Sequence, residues 1–216
     1  MIEAAARGSQ PDRETFARHY LDVVRAYLMA RWGGSPLRQS IDDAVQDVFV
    51  ECFRHDGPLA RADRSRGGGF RPFLFGVVRN IARRIESRDF ARVKAMQSGV
   101  DLASINCDDT QLSHVFDRAW ARSIMRQAAD LQAERARQTG DAAVRRVELL
   151  QLRFRDGLPI REISRLWDED ASNLHHEYAK ARQEFKAALK QIVAFHYPGS
   201  PEVVERECAN LLQLVK

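Results

Sequence analysis

The sequence has few cysteines and no long apolar run. Its three cysteines, Cys52, Cys107 and Cys208, are odd in number and lie far apart, which does not suit a disulfide framework and fits a reducing cytoplasm. No run of eighteen apolar residues occurs, and the opening residues MIEAAARGSQPDRE contain no apolar signal-peptide core. We therefore expect a cytoplasmic chain, neither a disulfide-rich secreted scaffold nor a membrane protein.

Catalytic and metal-binding motifs are also missing. The GGG of Gly67–Gly69 lacks the strand and the further residues of a phosphate-binding loop, and no nucleophile has an obvious base partner. His175 and His176 are neighbours whose side chains would point about 100° apart on a helix, so they cannot share a zinc ion without a further ligand. We expect no enzyme activity, no metal and no cofactor.

The charge balance is mildly basic. A net charge of +4 and an isoelectric point near 9.2 permit a polyanionic partner without requiring one. With 44% hydrophobic residues, the chain can bury one large core or two small ones. The kind of partner must therefore be inferred from local patterns.

Apolar residues recur at helical spacing through most of the chain. Phe16, Tyr20, Val23, Val24 and Tyr27 show the steps of three and four that predict a helix, and stretches rich in Gly and Pro separate the helical segments. The pattern predicts an all-α fold of two small helical domains joined by a linker. Its parts are residues 1–95, the linker 96–113, residues 114–195 with a helix-turn-helix, and an amphipathic tail, 196–216.

The second predicted helix has one acidic face. It starts near Ser40, a residue type that favours helix N-caps, and its apolar face includes Val45, Val48 and Phe49. An acidic face does not suit DNA, so we expect it to contact a protein that offers basic side chains. The residues of this face are Asp43, Gln46, Asp47 and Glu51.

A basic loop and a basic helix, which opens at Phe70, come next. Residues 61–94 contain ten Arg or Lys against three acids, and Arg84, Arg88 and Arg92 share one stripe at a spacing of four. Such a stripe suits a phosphate track, and neighbouring aromatic rings suit stacking on single-stranded bases. An ordinary solvated helix face is the alternative. The neighbouring aromatic residues are Phe70, Phe73, Phe75 and Phe90, of which some, Phe73 above all, should lie in the core.

Residues 160–195 predict a short helix, a polar turn and a longer helix. This is the geometry of a helix-turn-helix, whose second helix enters the DNA major groove with its N-terminal end first. Asp168, Glu169 and Asp170 occupy the turn, and Asp170 suits an N-cap. An ordinary helical hairpin is the alternative. The candidate DNA-reading side chains are Ser172, Asn173, His175, His176 and Lys180.

The order of these segments resembles the extracytoplasmic-function sigma factors, the small two-domain initiation factors of bacterial RNA polymerase. IDDAVQDVFVECFR (Ile41–Arg54) looks like the family's polymerase-binding helix, an acidic DLVQEVF pattern. FRPFLFGVVRNIARRIE (Phe70–Glu86) looks like its FRAWLYRIARNLARD segment. The stretch from Leu149 to Leu189 looks like its C-terminal helix-turn-helix segment.

The resemblance implies roles for these segments in transcription initiation. The residues of the acidic face, Asp43, Gln46, Asp47 and Glu51, would bind core RNA polymerase. The minus-thirty-five element of the promoter would be read by Ser172, Asn173, His175, His176 and Lys180. The loop 55–69 would capture a flipped base of the minus-ten element. The side chains implied for minus-ten DNA are Arg61, Arg64, Arg66, Arg79, Asn80, Arg83, Arg84 and Arg88. The implied partners are core polymerase, promoter DNA and a protein regulator such as an anti-sigma factor, with no membrane contact.

The chain departs from the family pattern at several positions. Pro72 and Phe73 stand where the family has Ala-Trp, and Asp168 and Glu169 stand where its turn has Gly-Ile. The alternative function is a helix-turn-helix repressor or activator that acts without core polymerase. The hairpin predicted over residues 116–150 and the tail would then supply a ligand pocket or a dimer helix.

Overall fold

The computed structural model describes residues 2–55, 57–62, 69–96 and 108–215. Within these ranges the regular structure is helical and contains no strand, which confirms the all-α class. The helices are α1 (Ile2–Ala6), α2 (Gln10–Trp32), α3 (Ile41–Phe53), α4 (Phe70–Met96), α5 (Asp109–Thr139), α6 (Asp141–Phe154), α7 (Ile160–Trp167), α8 (Ala171–His196) and α9 (Pro201–Leu214), with 3-10 helices at Pro36–Ser40 and Pro58–Arg61.

The described chain forms two compact units. The N-terminal unit comprises residues 1–123, 196–198 and 209–216, and the C-terminal unit comprises residues 124–195 and 199–208. Helix α5 begins at Asp109, earlier than the predicted domain limit at residue 114. Most of the predicted linker, residues 97–107, lies outside the described residues, and the predicted domain limits stay predictions.

An aromatic cluster forms the core of the N-terminal unit. Tyr20 stacks on Trp120 with ring centroids 5.5 Å apart, and the His196 ring lies 5.2 Å from Trp120. Phe16 and Phe70 pack against Tyr20 at 4.7 and 5.6 Å. All five side chains are buried, so α2, α4, α5 and the last residue of α8 share this core.

Helix α3 begins directly after a 3-10 helix. Ser40 is the last residue of that 3-10 helix and makes no side-chain hydrogen bond to the start of α3. Ser40 thus occupies the predicted N-cap position, but its side chain does not cap the helix, because the backbone enters α3 from a turn that is already helical. Asp42 and Asp43 still lie in the first turn of α3, where negative charge is favoured by the helix dipole.

Helix α5 buries only part of the face that its pattern indicated. The apolar spacing predicts an inner side of Val115, Ala119, Ile124, Met125 and Leu131; Ile124 is fully buried, but the other four are only half-buried. Phe116 and Trp120 are fully buried instead. The two sets are offset by one residue, and the large aromatic rings take the interior position because they remove more apolar area from water.

A buried ion pair joins α2 to α4. The Glu86 carboxylate accepts hydrogen bonds from Arg31 at 2.6 and 2.9 Å and from the Trp32 indole at 2.7 Å. Arg31 is 8% exposed and also lies 3.8 Å from Asp109 of α5. Hydrogen bonding to Glu86 raises the pKa of Arg31. Both charges are satisfied inside the unit, and the rotation of α4 about its own axis is thereby fixed.

The C-terminal unit has a small apolar core of its own. Leu149 of α6, Ile160 and Ile163 of α7, and Leu174 of α8 are buried together. Tyr178, one turn further along α8, is half-buried against the same cluster. This core holds the short helix α7 against the first turns of α8.

The two described cysteines do not form a disulfide. Cys52 and Cys208 are free thiols in buried positions, and burial raises the pKa of Cys52 to about 12. Cys107 lies outside the described residues.

Among the helices in the described ranges, none is both long enough and apolar enough to cross a membrane.

The buried pair yields a stability prediction. Glu86→Gln should lower the free energy of unfolding by about 3 kcal/mol, because the buried Arg31 loses the carboxylate that it binds at two points and keeps the half-exposed Asp109 at 3.8 Å. Urea denaturation followed by circular dichroism measures the change.

The matched control is Asp89→Asn on the same helix. Asp89 pairs with Arg92, whose side chain is 74% exposed, and exposed pairs contribute less than about 1 kcal/mol. We expect no measurable change for this variant. Equal stabilities of the Glu86 and Asp89 variants would contradict the importance assigned to the buried pair.

Candidate functional site

Helix α3 presents its acidic face to solvent. Asp43 and Gln46 are exposed, and the side chains of Asp47 and Glu51 are 48% and 20% exposed. Val50 lies on the same face and is 68% exposed, a feature that the sequence reasoning missed. The face offers carboxylates around one apolar side chain, which suits contact with a protein.

The basic stripe of α4 lies along this acidic face. Arg84 is 3.9 Å from Glu51, and Arg88 is 3.8 Å from Asp47, so the two helices pair in antiparallel register. The Arg84 and Arg88 side chains are 50% and 65% exposed. Exposed pairs contribute less than about 1 kcal/mol to stability. Each of these side chains can therefore leave its partner and pair with a charge on another molecule at little loss of free energy.

The other residues implied for minus-ten DNA have varied surroundings. Arg83 pairs with Asp109 at 3.2 Å, whereas Arg79 is half-buried with its guanidinium 5.7 Å from the centroid of the Phe75 ring. Asn80 is exposed. Side chains outside the description are those of Arg61, Arg64 and Arg66. The structure therefore brings Asn80, Arg83 and Arg84 together on the outer part of α4 and holds Arg79 closer to the core.

A surface groove of about 630 Å³ runs beside the paired faces. Its lining includes Glu51 of α3, Pro58 of the second 3-10 helix, and Phe73, Asn80 and Arg84 of α4. A cation, an amide and an aromatic ring in one groove are the groups that bind a nucleotide by charge, hydrogen bonding and stacking. The groove thus brings two residues implied for minus-ten DNA next to a ring.

The four phenylalanines near the basic stripe divide into core and surface residues. Phe70 is buried in the aromatic core, and Phe75 packs edge-on against Tyr27 at 5.6 Å, so neither is available for stacking on a base. Phe73 is half-buried in the wall of the groove, and Phe90 is 52% exposed. As expected, some of the four rings belong to the core, but these are Phe70 and Phe75, because both rings complete the packing under α4. The prediction that Phe73 is a core residue is wrong, because its ring lines the groove and is only half-buried.

The turn between α7 and α8 has an acid at each of its three positions. Asp168 adopts the left-handed conformation, with φ 52° and ψ 45°. The Ser164 carbonyl accepts hydrogen bonds from the N–H groups of Asp168 and Glu169, the latter at 3.0 Å. The Asp170 carboxylate accepts a hydrogen bond from the Asn173 N–H at 2.9 Å, which confirms the predicted N-cap.

The predicted DNA-reading side chains lie on the first turns of α8. All of them are exposed: Ser172, Asn173, His175, His176 and Lys180. Glu177, the acid among them, accepts hydrogen bonds from Lys180 at 2.8 Å and from Arg146 at 3.3 Å. These hydrogen bonds, first that of Lys180, lower the pKa of Glu177. The surface therefore has one acid, and that acid is already paired.

The two histidines of this surface are open to hydrogen bonding. His175 and His176 are both exposed. Across the described part of the chain, no group of three or more His, Cys, Asp or Glu side chains is arranged to hold a metal ion. An imidazole can donate to or accept from a base edge, so the histidines suit the reading role as well as Lys or Ser would.

A contact around Trp167 escaped the sequence reasoning. The Arg145 guanidinium lies 4.6 Å from the centroid of the Trp167 ring and 2.7 Å from the Glu169 carboxylate. Asp141 and Glu148 help to line a shallow groove of about 380 Å³ beside the ring. The sequence signal that could have revealed this contact is Trp167 itself. A large aromatic side chain at the end of a short helix can contact residues outside the core of that helix. The contact neutralises the second acid of the turn.

The turn generates a pair of opposite stability predictions. Asp168→Gly should raise the free energy of unfolding by about 0.5–1 kcal/mol, because glycine adopts the left-handed conformation without the clash of a Cβ. Asp170→Ala should lower it by about 1 kcal/mol through loss of the N-cap. Urea denaturation of both variants measures the two shifts. Shifts of the same sign would contradict the roles assigned to these acids.

The comparisons with known proteins add no family to this picture. No protein-family model matches the chain, and searches of curated proteins and of solved structures returned no match. The resemblance to the sigma factors therefore rests on the three segments and their order, and the function must be inferred from the surfaces described above.

Proposed function

We propose that this chain is an initiation factor of the extracytoplasmic-function sigma type that binds core RNA polymerase and promoter DNA. The observation that carries the proposal is the start of α8. The five candidate DNA-reading residues are all exposed there, beyond a three-residue turn in which Asp170 caps the helix and Glu169 pairs with Arg145. A helix presented in this way is suited to enter the major groove with its N-terminal end first.

The acidic face of α3 supports a second, protein-binding surface. Asp43, Gln46 and Asp47 surround Val50, and DNA would repel the carboxylates. A partner with basic side chains around an apolar contact fits this face. We assign this partner as core polymerase, which places the protein in the cytoplasm.

Helix α4 and its groove support contact with opened DNA. Arg84 and Asn80 line the groove together with Phe73, so phosphate, base edge and base face each have a matching group. Arg88 lies one turn further along the same stripe. The three functions of an initiation factor, docking, melting and reading, are thereby assigned to α3, α4 and α8.

One observation favours the alternative of a regulator that acts without polymerase. Arg84 and Arg88 already lie within 4 Å of Glu51 and Asp47, which lowers the net negative charge that α3 offers to a partner. A repressor or activator would bind an operator alone and as a dimer, whereas an initiation factor requires polymerase. Reconstitution with core polymerase therefore separates the two functions.

The test is transcription in vitro with purified core polymerase on genomic fragments, followed by sequencing of the RNA 5′ ends. We expect start sites that share two upstream sequence elements. Asp47→Arg should weaken binding to core polymerase about tenfold, or about 1.4 kcal/mol, because it reverses a charge of the docking face.

Asp42→Arg provides the matched control for the polymerase test. Asp42 is on the same helix, pairs with Arg25 at 2.8 Å and is 71% exposed, and it is outside the docking set. Its reversal should leave polymerase binding within about twofold, a difference of less than about 0.5 kcal/mol. Start sites without a shared element, or unchanged binding by the Asp47 variant, would count against the proposal.

A second prediction concerns base reading by α8. Asn173→Ala should lower transcription from a recovered promoter about tenfold and relax the preference at one upstream base pair, because a side chain bonded to a base edge contributes about 1–3 kcal/mol of discrimination. Gln183→Ala, an exposed position further along the same helix, is the control. Transcription of promoter variants at each upstream position measures both effects. An unchanged base preference in the Asn173 variant would remove it from the reading set.

A further inference from the structure

A second basic row lies on α5. Between Leu112 and Ser123 the exposed residues are His114, Arg118 and Arg122, each four positions after the previous one. Every other residue in this interval is buried or half-buried. Between Leu112 and Ser123 the exposed edge of α5 is therefore a single line of basic side chains.

This basic row, His114, Arg118 and Arg122, has no acid partner among the described residues. None of the three makes a hydrogen bond or an ion pair with a described residue. Asp117, the acid within the interval, pairs instead with Arg71 at 3.0 Å, and its side chain is 15% exposed. An anion that approaches the row meets the guanidinium groups of Arg118 and Arg122, which no carboxylate of the described residues neutralises.

The arginines of α4, in contrast, already have carboxylate partners. Arg83, Arg84 and Arg88 each have a carboxylate within 4 Å, so an incoming phosphate must compete with that carboxylate. At the basic row an incoming phosphate displaces only water and counterions, and counterion release favours binding. The row is thus the better electrostatic site for a sequence-independent polyanion.

The dimensions and composition of the row indicate which polyanion fits. Eight residues of helix span about 12 Å, and one strand of duplex DNA carries about three to four phosphates over that distance. The planar guanidinium groups of Arg118 and Arg122 match phosphate oxygens. No exposed large hydrophobic side chain belongs to residues 109–123, and the core of a protein interface would require one.

We propose that the basic row of α5 binds phosphates of duplex DNA independently of base sequence. The choice of DNA as the polyanion rests on the proposed function, whereas the unpaired row does not. In the assembled complex the row adds affinity outside the two promoter elements, and it holds duplex DNA on the N-terminal unit without reading it.

The test measures binding of the full chain to a fluorescent duplex of random sequence by anisotropy over a range of salt concentrations. Arg118→Gln with Arg122→Gln should weaken binding at low salt. It should also make the slope of log affinity against log salt shallower by about 2, since each lost phosphate contact removes about 0.9. Thermal denaturation of the double variant establishes that it is folded.

The control is Arg137→Gln on the same helix. Arg137 is exposed and pairs with Glu134 at 2.5 Å, so its substitution removes one positive charge from the same helix but leaves the basic row intact. We expect its salt slope to equal that of the wild type. A folded double variant with a wild-type slope, or a wild-type chain that does not bind the duplex, would overturn the proposal.

Two further arms separate this inference from the proposed function. Poly-glutamate is the probe for an acidic polypeptide. If the double variant loses binding to poly-glutamate but keeps its binding to DNA, the row belongs to an acidic protein partner and the proposal is overturned. Binding to core polymerase is measured in parallel. A chain that binds duplex DNA through the row but does not bind polymerase would contradict the initiation function and support the row.

Discussion

The Glu86 carboxylate is the anchor on which the arrangement of the N-terminal unit depends. It accepts hydrogen bonds from Arg31 and Trp32 and so determines which side of α4 faces α2. Successive residues of a helix are rotated by about 100°. Arg84 and Arg88, two positions before and after Glu86, therefore point about 160° away from it. An inward carboxylate obliges the basic stripe to face outward.

The outward stripe meets α3 in a register that follows from equal spacing. Asp47 and Glu51 are four residues apart, as are Arg84 and Arg88, so two antiparallel helices place both pairs at once. The pairing holds the acidic and basic faces side by side without burying them. A charged partner that binds at this edge must therefore exchange with an internal one. At the row that contains Arg118, an incoming phosphate displaces water and counterions instead.

The sequence predicted the elements better than their mutual contacts. Breakers next to Phe70 mark the start of α4, and the apolar spacing from Leu174 onward leaves the residues proposed to read DNA on the outside of α8. The pair of Arg31 and Glu86 is separated by 55 positions and has no periodic signal that could reveal it. The inward face of α5 was ambiguous, because the ring of Trp120 competes with small apolar residues one position away. Side-chain volume, which a binary pattern ignores, decides such cases.

The acidic turn before α8 looked like an obstacle to DNA binding, and its geometry removes most of that obstacle. Asp170 is used as the helix cap, and Glu169 is compensated by Arg145. Asp168 is exposed and supports a left-handed backbone that glycine would adopt with less strain. Two of the three carboxylates are thus paired with donors of the protein itself. The third, that of Asp168, lies at the left-handed residue that ends α7. The proposed DNA-reading helix can follow this turn because two of its three acids are engaged locally, and uncompensated charge is what repels a phosphate at short range.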